Sequence, residues 1–204
     1  MKIYISGKIS GLPPEQTQRK FSDAADLLHN LDCEPVNPFQ IGVSHSNASW
    51  KQHMIRDIEL LMHCDGILLL DDWKESKGAR IEKKIADEMG LIILHESSCR
   101  MIEQEQNILI RVKKAIKSVT GLDFETYISE SRLRDYFYAR MMFCYHCKQG
   151  GLTASSIADL VNRDRSTVLY YLKKYEDDFQ YSKQFRIVAE NVINELTRIE
   201  IKNT

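Results

Sequence analysis

The sequence predicts an α/β domain with a doubly wound parallel sheet, followed by a small all-α domain. Short apolar segments alternate with amphipathic helical segments up to about residue 95, which is typical of βαβ crossovers. The run at residues 66–70 is apolar throughout, as expected of a strand buried on both faces of a parallel sheet. Beyond His95 only helical periodicity is found. These observations predict a change of fold class about halfway along the chain.

The first half is predicted to be Rossmann-like, with each strand followed by a helix. Strands are expected at residues 2–6, 33–36, 66–70 and 91–94, and helices at 15–31, 50–63 and 77–89. Gly7 and Gly11 place a flexible loop directly after the first strand. Right-handed crossovers bring the carboxyl ends of parallel strands to one edge of a sheet, where such sheets bind ligands.

The second half is predicted to contain helices only. They are expected at residues 102–119, 131–147, 153–162, 165–176 and 182–200, with turns at Gly150-Gly151 and around Asn162-Arg163-Asp164. Residues 153–176 therefore have the order of a helix-turn-helix, with apolar residues of the first helix facing Val168, Leu169 and Leu172 of the second. The predicted domains are 1–96, a linker helix at 97–122, and 123–204.

Composition is ordinary for a soluble protein, and charge is unevenly distributed. Apolar residues make up 43% and charged residues 28% of the chain, and no apolar run is long enough to span a membrane. Five cysteines without a repeating spacing favour reduced thiols, so we expect a cytoplasmic protein with no membrane partner. Residues 111–174 hold 12 Lys and Arg against 6 Asp and Glu, whereas residues 1–100 hold 12 against 15. The basic region indicates either a phosphate-contacting surface or the solvated faces of helices.

Polar and acidic residues follow the third predicted strand. Asp71, Asp72 and Ser76 lie in the loop at its carboxyl end, and Gly78 opens the next helix. Asp71 and Asp72 either bind a ligand or solvate the loop. Because a glycine in the first turn permits close approach, Glu82 one turn later can face the ligand crevice.

Two segments of this half resemble the nucleoside 2-deoxyribosyltransferase-like superfamily. Residues 4–12 match Tyr-Ile-Ser-Gly-x-Ile-Ser-Gly-Leu, and residues 73–82 match Trp-x-x-Ser-x-Gly-Ala-x-x-Glu, motifs of an uncharacterised branch close to the 2′-deoxynucleoside 5′-phosphate N-hydrolases. In characterised members a glutamate attacks the anomeric carbon of deoxyribose and an earlier aspartate serves the leaving base. The resemblance implies Glu82 as nucleophile and Asp57 as its partner.

The resemblance also implies a set of substrate-binding residues and no cofactor. Ser76 stands where the transferases carry an aspartate that grips a free 5′-hydroxyl, and a hydroxyl can donate to a phosphate that a carboxylate would repel. Free N–H groups in the Gly7–Gly11 loop, at a helix amino terminus, likewise favour a phosphorylated nucleotide. The N-hydrolases carry an arginine where this chain has Ser10. The implied substrate-binding residues are Tyr4, Ser6, Gly7, Ile9, Ser10, Trp73, Ser76 and Gly78.

The chemistry expected of such a pair of carboxyl groups is that of a retaining glycosidase. One carboxylate forms a glycosyl ester while the other group protonates the leaving base. Whether water or a second base resolves the ester distinguishes a hydrolase from a transferase, and the sequence leaves both open. Because superfamily members often complete their sites across subunits, we expect a homo-oligomer.

The carboxy-terminal half resembles the helix-turn-helix domain of the replication initiator DnaA. The DnaA motif Arg-Asp-His-Thr-Thr-Val corresponds here to Arg163-Asp164-Arg165-Ser166-Thr167-Val168. The resemblance implies binding of double-stranded DNA, by phosphate and base-edge contacts. The alternative is a helical oligomerisation bundle with a solvated basic face. The predicted DNA-contacting residues are Arg132, Arg140, Arg163, Arg165, Ser166, Thr167 and Lys173.

No metal site is predicted. His45, His53 and His63 lack a ligand-like arrangement, and Cys144 and Cys147 lie in an amphipathic helix, where structural cysteines are expected. The leading functional hypothesis is cleavage of the N-glycosidic bond of a 2′-deoxynucleotide by an enzyme with a DNA-binding module. The alternative is a DNA-binding regulator or replication-associated protein whose α/β domain only senses a nucleotide.

Overall fold

The computed structural model describes residues 1–40 and 49–202. They form two compact units, Met1–Glu103 and Gln104–Thr204. The first unit is α/β and the second is helical, so the predicted fold class is confirmed.

The first unit is built on a four-stranded sheet with the order β2-β1-β3-β4. Its strands are β1 (Lys2–Ser6), β2 (Glu34–Val36), β3 (Gly66–Leu69) and β4 (Ile92–His95). All three pairings are parallel. The carboxyl ends of the central strands β1 and β3 therefore lie side by side, with Ser6 in register with Leu69.

Three helices alternate with these strands as the periodicity predicts. They are α1 (Pro14–Asn30), α2 (Trp50–Met62) and α3 (Lys77–Glu88), with a short 3-10 turn at Trp73–Glu75 before α3. Most observed ends lie within two residues of the predicted ones.

The alternation of side chains along β1 gives the two faces of the sheet different roles. Ile3 and Ile5 pack with the apolar face of α1. Tyr4 points to the opposite face, where it packs with Leu61 of α2 and Ala86 of α3. Because side chains two positions apart in a strand share a face, Ser6 also lies on the α2 and α3 side. This places two hydroxyl groups of β1 beneath α3.

The second unit consists of helices packed around one apolar core. Helix α4 (Glu96–Thr120) begins six residues before the helix predicted at 102–119 and one residue before the predicted linker at 97–122, and its last part belongs to this unit. The helices that follow are α5 (Phe124–Ile128), α6 (Arg134–Gln149), α7 (Ala154–Val161), α8 (Arg165–Tyr181) and α9 (Lys183–Lys202). Four of these five match predicted helices, while α5 is too short to give a periodic signal.

Helices α7 and α8 form the predicted helix-turn-helix. Thr153 caps α7 by accepting from the N–H of Ser156 at 3.0 Å, and Asn162 ends the helix in the left-handed conformation with φ of 51°. Val161 and Val168 are fully buried on either side of the turn. Leu169 was predicted to face α7, but its side chain is 46% exposed on α8, so that prediction is wrong.

Candidate functional site

The first unit contains a cavity of about 530 Å³ bounded by the loop after β1 and by the amino-terminal parts of α2 and α3. This is the carboxyl edge of the sheet, where parallel α/β folds bind ligands. The cavity brings together residues that are far apart in the sequence. The predicted residues that line it are Gly7, Ile9, Ser10, Asp57, Ser76, Gly78 and Glu82.

Glu82 is a buried carboxyl group held by two hydroxyls of β1. Its side chain is 5% exposed. The Tyr4 hydroxyl donates to Oε1 at 3.1 Å, and the Ser6 hydroxyl donates to Oε2 at 2.5 Å. Each carboxyl oxygen therefore has one donor, which fixes the orientation of the group toward the cavity. Tyr4 and Ser6 act on Glu82 and are not themselves among the residues that line the cavity.

The environment of Glu82 favours its neutral form more than water does. The pKa of Glu82 is raised from 4.5 to about 7, chiefly by burial and also by the negative charge of Asp57, while the hydrogen bonds from Ser6 and Tyr4 limit the rise. Burial also raises the pKa of Asp57, against the lowering effects of Arg56 and His53. The site thus contains two carboxyl groups whose proton affinities are both increased, which is typical of acid-base and nucleophilic sites.

The loop after β1 is held in place by charged side chains from outside it. Asp72 accepts from the backbone N–H of Lys8 at 3.0 Å, and Lys20 donates to the Lys8 carbonyl at 2.7 Å and to Asp72 at 2.6 Å. Asp72, in the loop after β3, therefore supports the loop after β1. A Cβ at Gly7 would lie 2.7 Å from Cδ1 of the buried Leu70, so a larger residue there would force that side chain to move.

The amino terminus of α3 forms the side of the cavity next to Glu82. Ser76 caps the helix by accepting from the N–H of Ala79 at 3.2 Å, which leaves its own hydroxyl proton free to donate. A Cβ at Gly78 would lie 3.1 Å from the Met54 sulfur, so this glycine keeps α2 and α3 close. The arrangement offers a hydroxyl donor and free helix N–H groups to an anion.

Trp73, which the resemblance implied as a substrate-binding residue, lies outside the lining of the cavity. It packs against the buried cluster around Tyr4. Six lining residues had no signal in the sequence motifs, because they come from the residues just after β2 and from α2. They are Pro38, Phe39, Trp50, His53, Met54 and Arg56.

In the second unit, most of the predicted DNA-contacting residues lie at the surface of the helix-turn-helix. Arg165, Ser166 and Lys173 are exposed on α8, and Thr167 is partly exposed. A wide polar groove of about 700 Å³ includes Arg132, Arg163 and Thr167 together with the acidic Glu130, Asp159 and Asp164.

Arg140 does not belong with the predicted DNA-contacting residues. It is only 4% exposed, and its guanidinium donates to the carbonyls of Tyr127, Ser129 and Ser131 at 2.6 to 2.8 Å. A buried guanidinium occupied by three carbonyls does not reach a DNA phosphate. Arg163 also donates to the Ser129 carbonyl, at 2.9 Å, but remains partly exposed. The loop between α5 and α6 is therefore held by arginines on both sides.

The described part of the chain has neither a cluster of metal ligands nor a membrane-spanning helix. Within residues 1–40 and 49–202, no three His, Cys, Asp or Glu side chains come together as metal ligands would. His45 lies outside the described residues. Cys144 and Cys147 are fully buried in α6, and burial raises the pKa of both thiols, which disfavours the thiolate form that binds metals. Among the described helices, none has both the length and the apolar character needed to span a bilayer.

The matches to known protein families divide the chain close to the boundary between the two compact units. Residues 1–95 match a family model described as Domain of unknown function (DUF4406). Residues 110–174 match the bacterial dnaA protein helix-turn-helix. That match covers the end of α4 through the first part of α8 and supports a DNA-binding module. No match was found among curated proteins.

Proposed function

We propose that the α/β unit cleaves the N-glycosidic bond of a 2′-deoxynucleotide, with Glu82 as nucleophile. The observation that carries the proposal is a buried carboxyl group that opens into a cavity while hydroxyls of Tyr4 and Ser6 hold both of its oxygens. A glutamate can also be buried because it forms a salt bridge, which would neutralise its charge. The hydrogen-bond partners of Glu82 are instead the neutral hydroxyls of Tyr4 and Ser6. Its charge is thus left available for an electron-deficient carbon.

The proposed reaction proceeds in two displacements. In the first, a carboxylate oxygen of Glu82 bonds to the anomeric carbon as the bond from that carbon to the base nitrogen breaks, and the carboxyl group of Asp57 supplies a proton to the base. In the second, water or another base attacks the same carbon and displaces Glu82, giving its proton to Asp57. With water as acceptor, the products are the free base and 2-deoxyribose 5-phosphate.

A phosphorylated substrate agrees with the donors around the cavity. The free hydroxyl proton of Ser76, the first N–H groups of α3 and the side chain of Lys77 all lie along one wall. Helix N–H groups and a hydroxyl bind phosphate without burying an extra charge. This chain has Ser10 where the N-hydrolases carry an arginine. The wall formed by the start of α3 is therefore the main phosphate contact in the proposal.

The helical unit is proposed to bind double-stranded DNA through α8 and thereby to localise the enzyme. The positive and hydroxyl groups at the start of α8, Arg165, Ser166 and Thr167, are suited to phosphate and base-edge contacts.

The enzymatic proposal is tested by incubating the full chain with each 2′-deoxynucleoside 5′-monophosphate and measuring free base by chromatography. Glu82→Gln keeps the shape of the side chain but not its nucleophilicity, so it is expected to lower the rate at least about 1,000-fold. Glu88→Gln, an exposed change on the same helix α3, is the matched control and should leave the rate unchanged.

Base release by Glu82→Gln at the wild-type rate would contradict the proposal. Binding of a monophosphate with no release by the wild type would instead favour the nucleotide-sensing regulator, whose α/β unit binds its ligand and turns nothing over.

A further inference from the structure

Two aromatic side chains are exposed at the rim of the same cavity. Phe39 is 37% exposed and Trp50 is 45% exposed, and both line it. Exposed aromatic surface is unfavourable in water and is enriched where a ligand covers it. Neither residue belongs to the motifs from which the site was predicted.

Trp50 has contacts that position both its backbone and its ring, although the ring is exposed. It is the first residue of α2, whose amino terminus is closed by a capping box between Ser49 and Gln52. The ammonium of Lys77 lies 4.9 Å from the centre of the indole ring, in cation-π geometry. Both the backbone and the ring of Trp50 are therefore positioned before any ligand arrives.

The position of Trp50 along α2 relates it to the reacting groups. Trp50, Met54 and Asp57 follow one another at helical spacing and line one wall of the cavity. Seven residues of helix correspond to a rise of about 10 Å, so Trp50 lies toward the rim while Asp57 lies beside Glu82. A base whose glycosidic bond is next to Asp57 extends from there toward the rim.

Phe39, which borders the same opening, is anchored by contacts of its own. Its ring lies 5.7 Å from that of Phe21, and its N–H donates to the Asn37 side chain at 2.9 Å. The opening is therefore bordered by flat apolar groups, while its inner wall carries hydroxyl and carboxyl groups.

We infer that Trp50 is the platform on which the base of the deoxynucleotide stacks, with Phe39 at its edge. This inference rests on the proposed function in so far as the cavity holds a deoxynucleotide. Stacking on an aromatic face accepts any base but favours purines, because their larger rings cover more of the indole. Trp50 thus determines that the substrate carries a base, and its preference is for purines.

The inference is tested by calorimetric titration of the full chain in the Glu82→Gln background, where substrate is not consumed. The probes are the 5′-monophosphates of deoxyguanosine and deoxycytidine, and 2-deoxyribose 5-phosphate, which has no base. Trp50→Leu should weaken binding of the deoxyguanosine monophosphate about tenfold or more and that of the deoxycytidine monophosphate less, and leave 2-deoxyribose 5-phosphate unchanged. Trp50→Phe, which keeps an aromatic face, should restore most of the loss.

Each other outcome overturns the inference in a distinguishable way. Equal losses for all three probes would mean that Trp50 supports the cavity without touching the base. Unchanged binding of all three by Trp50→Leu would remove Trp50 from the site while leaving the proposed reaction intact. If none of the monophosphates binds to the Glu82→Gln parent and the wild type releases no base, the inference and the proposed function both fail.

Discussion

At the residue scale, the behaviour of Glu82 is a balance between burial and hydrogen bonding. Burial raises its pKa to about 7, and the two hydroxyls on β1 limit that rise by stabilising the carboxylate. At neutral pH a substantial fraction of the group is therefore ionised and able to attack. Without the Tyr4 and Ser6 donors the pKa of the buried carboxyl group would be higher, and less of it would be ionised at neutral pH.

This balance predicts how Glu82 affects stability. Its folded-state pKa of about 7 lies above the ordinary value of 4.5, so its contribution to stability is complete below pH 4.5 and is lost as the pH rises through 7. Glu82→Gln resembles the protonated group. We expect the variant to match the wild type at about pH 4 and to unfold at a higher temperature than the wild type at about pH 8. Thermal unfolding at both pH values measures this, and a lower unfolding temperature for the variant at the higher pH would contradict it.

A second prediction at this scale concerns the donors to Glu82. Ser6→Ala removes the larger of the two hydrogen-bonding effects that lower the pKa of Glu82, and Tyr4→Phe removes the smaller. The rising limb of the pH profile of base release should therefore move to higher pH in both variants, and further in Ser6→Ala. Initial rates across the pH range measure the shift. A limb that stays in place while the maximal rate falls would show that these hydroxyls do not act through the ionisation of Glu82.

The sequence predicted the centre of this site but not its rim. Glu82, Asp57 and Ser76 occur at spacings that a motif preserves, and the two-residue period of a strand places Tyr4 and Ser6 on one face. Trp50 and Phe39 lie outside the two motifs, and their positions at the cavity depend on tertiary packing that no motif spacing encodes. Arg140 was misassigned because a buried guanidinium that binds carbonyls has the same sequence pattern as an exposed one that binds phosphate.

At the scale of elements, the alternation of strands and helices in the first unit follows directly from hydrophobic periodicity. The unbroken apolar run of β3 is explained by its position between β1 and β4, with helices on both faces. Helix α5 was missed because five residues contain little more than one helical turn. It is held by tertiary contacts, with Tyr127 fully buried and Arg140 bonded to its carbonyl.

The loop between α5 and α6 provides a prediction at this scale. Arg140→Met would leave the carbonyls of Tyr127, Ser129 and Ser131 without their charged donor, at a cost of about 2 kcal/mol or more in the free energy of unfolding. Arg132→Met, an exposed change in the same segment, should cost less than about 0.5 kcal/mol. Urea unfolding of the full chain compares the two. Equal stability of both variants would contradict the structural role of Arg140.

At the scale of the whole molecule, one chain combines a candidate deoxynucleotide site with a DnaA-like helix-turn-helix. The proposed functions use different residues in separate compact units, so they should be separable by mutation. The overall net charge of −1 hides the basic region between residues 111 and 174, where the phosphate-contacting residues are proposed. The net charge of the entire chain therefore gives no indication of a nucleic-acid partner, whereas the distribution of charge along the sequence does.

Duplex DNA binding of the full chain is expected to weaken as salt concentration rises. Arg165→Ala should weaken binding and, if the arginine contacts a phosphate, reduce the slope of log affinity against log salt by about 1. Arg80→Ala, which removes an exposed arginine from α3, is the matched control, and Glu82→Gln should also bind DNA as the wild type does. Fluorescence anisotropy with labelled duplex measures these affinities. Absence of binding even at low salt would favour the helical oligomerisation bundle.

The most direct test of the central claim is to identify the residue that carries the sugar during the reaction. An arabino-configured 2′-fluoro nucleotide destabilises the oxocarbenium-like transition state of ester hydrolysis, so the glycosyl-enzyme ester should accumulate. Mass spectrometry of peptides from the acid-quenched protein should find the fluorinated sugar phosphate on the carboxyl group of Glu82, and no adduct in Glu82→Gln. An adduct on another residue, or release of base from natural deoxynucleotides by Glu82→Gln at the wild-type rate, would contradict the assignment of Glu82 as nucleophile.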